Sequence, residues 1–526
     1  MHPTPPIALI CFPVEGDLPE WPWEKRVLPD NLFHAAETVK AFAAQTDAEY
    51  VLFWDCALGQ PSIETCLVLL EQPGEVWHAG LQLGCAGQPE MLNLVNPVWM
   101  LNLDASPAIA SDSWRLSLRA CLVKCEIIRS VGVFRADYSS FETSGIEWGY
   151  RMCRAGALLR HQPEFVSTSV IALEIPFSLR DSLTFAATHF PRKWYAWIAF
   201  RLLANGAPWL EFLRAFKFSV HKKAIAVQTL ERPIEREKAA FKQEDWQEKV
   251  SVLMPTLNRY PYAINSIEQL LRQTVRPKEI LATDQTDLES RWEGFAQNYP
   301  IVRVFPQTEK GQCLAWNKLL EESSAPFVLF LGDDADGIRS EFIEEMCRTL
   351  AYYKADMVAS NVTEIGGAPD PHKERVVKMA DGFPITLIRK ELVLRAGMMD
   401  MAFNKGIRAD QDLAIRCRML GAHMIFDSSI RILHHRAPVG GLRWHKQRVL
   451  TQHISKKDPF KIRYPAETEY HLFRKYFSPK QRREHAYILL FSQMFVSGSA
   501  YKKLLRVLYF LLHLPKVLAR YSRLYR

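Results

Sequence analysis

Val250-Ser-Val-Leu-Met-Pro255 is a short apolar run closed by a proline, and it reads as a buried strand. Outward from it, Tyr262 to Thr274 sets Ile264, Ile267, Leu270 and Leu271 on one helical face. Glu279-Ile-Leu-Ala-Thr-Asp284 is a second strand, ending in a carboxylate. Ile301 to Phe305 reads as a third strand and Cys313 to Glu321 as a helix; Pro326 to Leu331 is a fourth strand, running into Gly332-Asp333-Asp334. Strand and helix alternate over short connections, which predicts an α/β domain with a mainly parallel sheet. Ligands of such sheets bind beyond the carboxyl ends of the strands, where Asp284, Asp333 and Asp334 stand.

The charged stretch before this domain, His221 to Lys249, is poor in large apolar residues and reads as a solvated, partly helical connector. The half ahead of it repeats the domain in part. Tyr50-Val-Leu-Phe-Trp-Asp55 echoes Phe327-Val-Leu-Phe-Leu-Gly332, and Cys125 to Ala157 aligns without a gap on Lys390 to Ala422. That alignment matches Glu126 to Glu391, Gly132 to Gly397, Arg151 to Arg416 and Gly156-Ala157 to Gly421-Ala422. Tandem copies of one fold are therefore expected: residues 1–220, the connector 221–249, the domain 250–440 and a helical tail 441–526. A chain of 526 residues has room for them, and 48% hydrophobic with 24% charged residues is a folded, not a disordered, composition. The ten cysteines show neither Cys-x-x-Cys pairs nor zinc spacing, so reduced thiols are expected. Met1-His-Pro-Thr-Pro-Pro6 lacks the basic and apolar regions of a signal peptide, which makes the cytoplasm the expected compartment.

Three clusters carry chemistry. Asp333-Asp334-Ala335-Asp336 supplies the oxygen ligands a hard divalent cation wants, and would equally suit a solvated turn or a helix cap. Arg408-Ala-Asp410-Gln-Asp412 sets two carboxylates ahead of an amphipathic helix carrying Leu413, Ile415, Cys417 and Leu420, where capping is again the alternative. His434-His435 follows the strand-like Ile430-Arg-Ile-Leu433.

Taken in order, these pieces resemble the family 2 glycosyltransferases of GT-A fold. Val250 to Arg259 is similar to their opening strand and nucleotide loop, and Gln273 to Thr286 to their second strand and its base-contacting aspartate. Gly311-Gln-Cys-Leu-Ala-Trp-Asn317 looks like their glycine-to-asparagine helix, Leu331-Gly-Asp-Asp334 like their Asp-x-Asp region, and Ala409-Asp410-Gln-Asp412-Leu413 like their Glu-Asp-x-Asp-Leu segment. Carried across by position, the resemblance implies that Pro255, Thr256 and Arg259 line the nucleotide, Asp284 contacts its base, and Gly311 and Asn317 belong to the donor side. It implies Asp333 near ribose or metal, Mn2+ or Mg2+ held by Asp334 or Asp336 with His434, and Asp410, with Asp412 beside it, as the catalytic carboxylate. Such a transfer needs a cation on the departing diphosphate and a base for the attacking hydroxyl. The implied reaction moves a sugar, with inversion, from a nucleotide diphosphate sugar to a glycan or lipid-linked acceptor in cell-surface polysaccharide synthesis. Gly332, Ala409 and Trp316 depart from the family spelling, which expects an acid, a glutamate and an arginine there. A non-catalytic carbohydrate-binding or scaffold protein made of two worn GT-A domains is the competing reading.

The first half lacks the cluster: Gly145 faces Asp410, Glu147 faces Asp412, and Cys56 and Ala57 fall opposite Asp333 and Asp334. A degenerate GT-A-like domain is expected there. Phe190 to Phe218 and Ala486 to Arg520 mix basic with aromatic or leucine residues. Neither is apolar enough to span a bilayer; both suit a helix lying on anionic lipid, or one packed on its own domain. After Glu484 no acidic residue remains, while Lys502, Lys503, Arg506, Lys516, Arg520, Arg523 and Arg526 do. Nucleic acid is not an expected partner, because base-stacking surfaces are rarely so rich in leucine.

Overall fold

The computed structural model describes residues 7–12, 19–166, 174–175, 177–286, 292, 297–435, 437–438, 440–441, 445, 459–460, 462–494 and 498–525. Apolar runs such as Ile7-Ala-Leu-Ile-Cys-Phe12 are buried at every position, as strands covered on both faces must be. They build two sheets. The first holds β1 (Ile7–Phe12), β2 (Lys25–Val27), β3 (Tyr50–Asp55), β4 (Val76–His78), β5 (Ser111–Asp112), β6 (Ala120–Lys124) and β7 (Leu159–His161), in the order β2-β1-β3-β6-β4-β7-β5. The second holds β8 (Val250–Thr256), β9 (Glu279–Asp284), β10 (Val302–Pro306), β11 (Phe327–Phe330), β12 (Ala335–Asp336), β13 (Met357–Glu364), β14 (Val377–Met379), β15 (Thr386–Arg389) and β16 (Met424–His434). Its order is β10-β9-β8-β11-β15-β13-β16-β12, with β14 also beside β16.

The expectation of a mainly parallel second sheet is corrected. β10, β9, β8 and β11 run parallel, but β15 is antiparallel to both β11 and β13, and β12 and β14 are antiparallel to β16. No helix lies between β13 and β15, so the chain has no crossover with which to make that pair parallel.

The two halves are copies of one fold. β1-β3-β6-β4-β7 and β8-β11-β15-β13-β16 share order and strand direction. Val51, Leu52 and Phe53 pair with Val123, Leu122 and Cys121; Val328, Leu329 and Phe330 pair with Ile388, Leu387 and Thr386. This is the register the gapless alignment demands. The side chains repeat as well. Arg151 donates to the carbonyls of Val131 (2.8 Å) and Val133 (2.7 Å) and pairs with buried Glu147. Arg416 does the same with Ala396, Met398 (2.6 Å) and buried Asp412. Both locks close around a glycine in the left-handed region, Gly132 at φ +80° and Gly397 at φ +85°.

The copies also meet through equivalent parts. A Cβ on Gly156 would lie 2.7 Å from the Val377 carbonyl of β14, and one on Gly421 2.3 Å from the Ala110 carbonyl beside β5. Asp112 of β5 joins the halves, accepting from Arg160 (2.7 Å), His423 Nδ1 (2.8 Å) and the Met424 N–H (2.9 Å). The segment 221–249 is not merely solvated, because its charges are paired on both sides. Arg232 holds Glu75 and the Gly156 carbonyl of the first half, and Glu237, 1% exposed, holds Arg375 of the second at 2.7 and 2.9 Å.

Helices follow each sheet: Leu179–His189, Arg192–Ala204 and Trp209–Ser219 after the first, Glu467–Tyr476, Pro479–Gln493 and Ala500–Tyr525 after the second. Arg201 pairs with buried Glu484 (2.7 Å) and ties the two sets together. Among the described residues no helix is long and apolar enough to cross a membrane. Parts of the tail, including residues 446–458 and Arg526, lie outside the described residues.

Candidate active site

β8 and β11 are parallel neighbours, so the chain leaving Thr256 and the chain leaving Phe330 emerge side by side. Thr256 Oγ1 donates to Asp333 Oδ2 (2.9 Å). Arg259 Nη1, at the start of the helix Tyr260–Leu270, donates to Asp333 Oδ1 (2.9 Å) and lies 3.2 Å from Asp334 Oδ2. His434 joins them because the β12–β16 pairing sets it opposite Ala335; its Nε2 is 3.0 Å from Asp334 Oδ1. The Ala437 N–H donates to Asp334 Oδ2 (2.9 Å). Both aspartates are buried. Burial pushes Asp333 up to about 6, against the pull of Arg259. Burial also opposes ionisation of Asp334, but the hydrogen bond and charge of His434, with Arg259, bring it down to about 2. Two neighbouring carboxyls are thus driven apart by their partners.

Asp336 belongs to a different set. Its Oδ1 accepts from Asn265 (3.1 Å), Gln269 (2.7 Å) and the Gly337 N–H (2.7 Å), and its Oδ2 faces His435 Nε2 at 2.7 Å. Asp334 is the carboxylate that shares Arg259 and His434, whereas Asp336 fastens β12 to the helix Tyr260–Leu270. Among the described residues no group of three or more His, Cys, Asp or Glu could hold a metal ion unaided.

The rim is held by a chain of amides. The Gln285 N–H donates to the Thr256 carbonyl (3.0 Å), and Gln285 Oε1 accepts from the Gly311 N–H (2.7 Å). Beyond Gly311, the Gln312 and Leu314 N–H groups donate to the carbonyl and side chain of Asn404, both at 2.9 Å, so Asn404 caps the helix Gln312–Glu322 from across the fold. A Cβ on Gly311 would meet Asn404 Nδ2 at 2.2 Å, which is why glycine stands there. Asn317, placed on the donor side by resemblance, uses both ends of its amide on the backbone of Met399, at 2.9 Å each. Asp284 accepts from Trp292 Nε1 (2.7 Å) and the Thr286 N–H (2.9 Å), and Pro255 is half-buried at the end of β8.

Asp410 and Asp412 part company. Asp412 is fully buried: Arg416 holds one oxygen (2.8 and 2.7 Å), and Lys475 (2.9 Å) and Tyr476 (2.7 Å) the other. All four of its lone pairs are thus taken by protein donors, and none remains for a substrate. Asp410 is exposed to solvent and has no ion pair among the described residues. Even so, enough protein crowds around it to raise its carboxyl above the ordinary range, only partly offset by the N–H of Gln411 and the charge of Arg408.

Sequence reasoning missed Gln285, Asn404 and Gly440-Gly441. The glycine pair has φ +70° and +52°, and the Gly441 N–H donates to the Leu257 carbonyl (3.1 Å). A Cβ on Gly441 would stand 2.9 Å from Arg259 Nη2, so the pair closes down over the guanidinium. The Gly-Gly dipeptide just after His434-His435 was the available signal.

Residues 251–407 match the family model Glycosyl transferase family 2, the family the motifs resemble. The match takes in Arg259, Asp333 and Asp334 and stops short of Asp410 and His434. A comparison with curated proteins gives no match. Among solved structures the chain is similar to S. aureus TarS 1-349 in complex with UDP-GlcNAc, at 15% identity and TM-score 0.31, covering 51% of this chain and 73% of that one. It is also similar to the mannosyltransferase PcManGT from Pyrobaculum calidifontis in complex with GDP-Man and Mn2+, at 15% identity and TM-score 0.32, covering 62% of this chain and 84% of that one.

Proposed function

We propose that the C-terminal half transfers a glycosyl group, with inversion, from a nucleoside diphosphate sugar to a hydroxyl of a glycan or lipid-linked acceptor in cell-surface polysaccharide synthesis. The observation that carries this reading is the Thr256–Arg259–Asp333–Asp334–His434 network at adjoining strand ends, within and just beyond a segment matching glycosyl transferase family 2. Arg259 offers the planar fork that suits a diphosphate, and the nearby rim of Pro255, Asp284 and Gln285 is apt for the nucleoside. Asp410, open and of raised pKa, is suited to take the proton of the attacking hydroxyl.

Asp334 and His434 would hold Mn2+ or Mg2+. One carboxylate and one imidazole make an incomplete site alone but an adequate one with substrate phosphates, since such ions commonly take only one or two protein carboxylates. When bound, the cation supplies neutralisation of the charge that develops on the departing diphosphate. The test is hydrolysis and transfer with a panel of nucleotide sugars. Turnover of at least one donor is expected, lost in EDTA, regained with Mn2+ or Mg2+, and abolished by Asp334→Asn in protein of unchanged circular dichroism. Full turnover in EDTA would end the metal assignment. Failure of every donor to bind would favour the carbohydrate-binding or scaffold reading.

The same proposal sets the protein against the anionic cytoplasmic face of a membrane. Its support is the helix Ala500–Tyr525, which buries Phe510, Val517 and Tyr521 while Leu504, Leu508, Leu511 and Leu512 stay exposed beside Lys502 and Lys503.

A further inference from the structure

The strand ends that carry Asp333 and Asp334 in one half have a counterpart in the other. Phe12 pairs with Asp55 across β1 and β3; the matching pair, two residues beyond Leu253 and Phe330, is Pro255 and Gly332. Cys56 and Ala57, next in line, begin the short helix Cys56–Leu58, capped by Asp55 through the Ala57 N–H (2.9 Å). Above these ends lies a hollow of about 280 Å3, lined by Phe12, Phe141, Asp30, Glu142, Asp55 and Arg119 among others. A second hollow, of about 380 Å3, shares Asp30 and Phe141, so the two make one groove. Each is near the small end of the roughly 300–1,000 Å3 typical of ligand sites.

The lining selects the ligand. Arg119 already pairs with Asp55 at 2.7 Å, and among the described residues no other basic side chain lines either hollow. Asp30 and Glu142 make no ion pair or side-chain hydrogen bond among the described residues. An anion, a nucleoside diphosphate included, would meet net negative charge here. Hydroxyl groups, by contrast, would find two open carboxylate acceptors beside the edge-to-face pair of Phe12 and Phe141, whose centroids are 5.1 Å apart. We infer that the N-terminal half binds a neutral saccharide in this groove through Asp30, Glu142 and the Phe12–Phe141 pair. Its strand ends, having lost the aspartates that serve the donor, hold a neutral stretch of the acceptor glycan. The identification with the acceptor rests on the glycosyl-transfer reading; the binding itself does not.

The experiment is calorimetric titration of the full chain with neutral trisaccharides of glucose, mannose, galactose and N-acetylglucosamine, and with UDP as the anionic probe. At least one trisaccharide should bind. The double variant Asp30→Asn, Glu142→Gln should weaken it ~10-fold or more, the worth of a charge-assisted hydrogen bond. Asp334→Asn should bind it like the parent, and UDP should not displace it. The double variant should bind UDP as the parent does, which keeps this result separate from the fate of the donor site. Binding of none of the four, equal affinity in the double variant, or displacement by UDP would overturn the inference.

Discussion

At the start of the helix Ala409–Met419, Asp410 projects into solvent, while Asp412 is sealed beneath Lys475 and Tyr476. A general base needs an open lone pair and a pKa raised toward the working pH, and only Asp410 has both. Asp410→Asn should lower kcat roughly 10²–10⁴-fold, the usual worth of such a base, with donor affinity unchanged. The carboxyl must be ionised to accept a proton, so parental activity should rise with pH through a midpoint above the ordinary carboxylate value of about 4. A profile flat down to that value would remove Asp410 from the role. Asp412→Asn should act differently. It leaves Arg416 without its counter-charge and Lys475 with Asp400 alone (2.8 Å), and losing one partner of a buried pair costs about 3–5 kcal/mol. The urea midpoint should fall, with turnover per folded molecule retained; lost turnover in fully folded protein would exchange the two assignments.

Between elements, the site is set by how strand ends are tied. β8 delivers Thr256, the turn after β11 delivers Asp333 and Asp334, and β16 delivers His434, each by ladder register. The strand boundaries were legible because continuous apolar runs ended by proline, glycine or aspartate punctuate the chain at the rhythm of an α/β fold; Glu279–Asp284 is the same strand in sequence and structure. The antiparallel turn of the sheet at β15 was not legible, because strand direction follows from the missing crossover and leaves no mark on local pattern. Gly311 links the element scale to function. Gly311→Ala drives a methyl into Asn404, loosening the cap on the helix Gln312–Glu322 at a cost of about 1–3 kcal/mol. Thermal melts should show the loss. The KM for donor should rise, because the Gln285 contact to the rim moves with it. The double variant with Asn404→Ala relieves the clash and should melt higher than Gly311→Ala alone.

Over the whole molecule, duplication left two like domains, and the chain uses them back to back. The glycines that end equivalent helices, Gly156 and Gly421, each abut the other half, much as equivalent surfaces meet in a symmetric dimer. The helices beyond each sheet share the Arg201–Glu484 pair, and the last of them presents exposed leucines, Leu512 at 79%. Each Lys or Arg near an anionic surface contributes about 1 kcal/mol, so the tail should hold the protein on anionic vesicles at low salt and release part of it at high salt. Replacing the exposed Leu508 and Leu512 by serine spares the packed face of Phe510 and Val517 and should reduce sedimentation with vesicles without lowering the melting temperature. Full-length protein indifferent to anionic lipid would decide for packing as the whole purpose of the tail.

Alternation of strands and helices and the clusters that contain Asp334, Asp410 and His434 were determined by the sequence itself, because each is written in residues a few places apart, and the duplication is written in the gapless match of Cys125 to Ala157 with Lys390 to Ala422. What only the tertiary structure decided is who partners whom. Asp334 goes to His434 and Asp336 to His435; Asp412 is spent on Arg416, Lys475 and Tyr476, and Asp410 is left open. Apart from the Asp412–Arg416 pair within one helix, those outcomes depend on ladder register and helix docking across gaps from 63 to 100 residues. A carboxylate's chemistry is set by its burial and by the charges brought against it, and neither is a property of its neighbours in the chain.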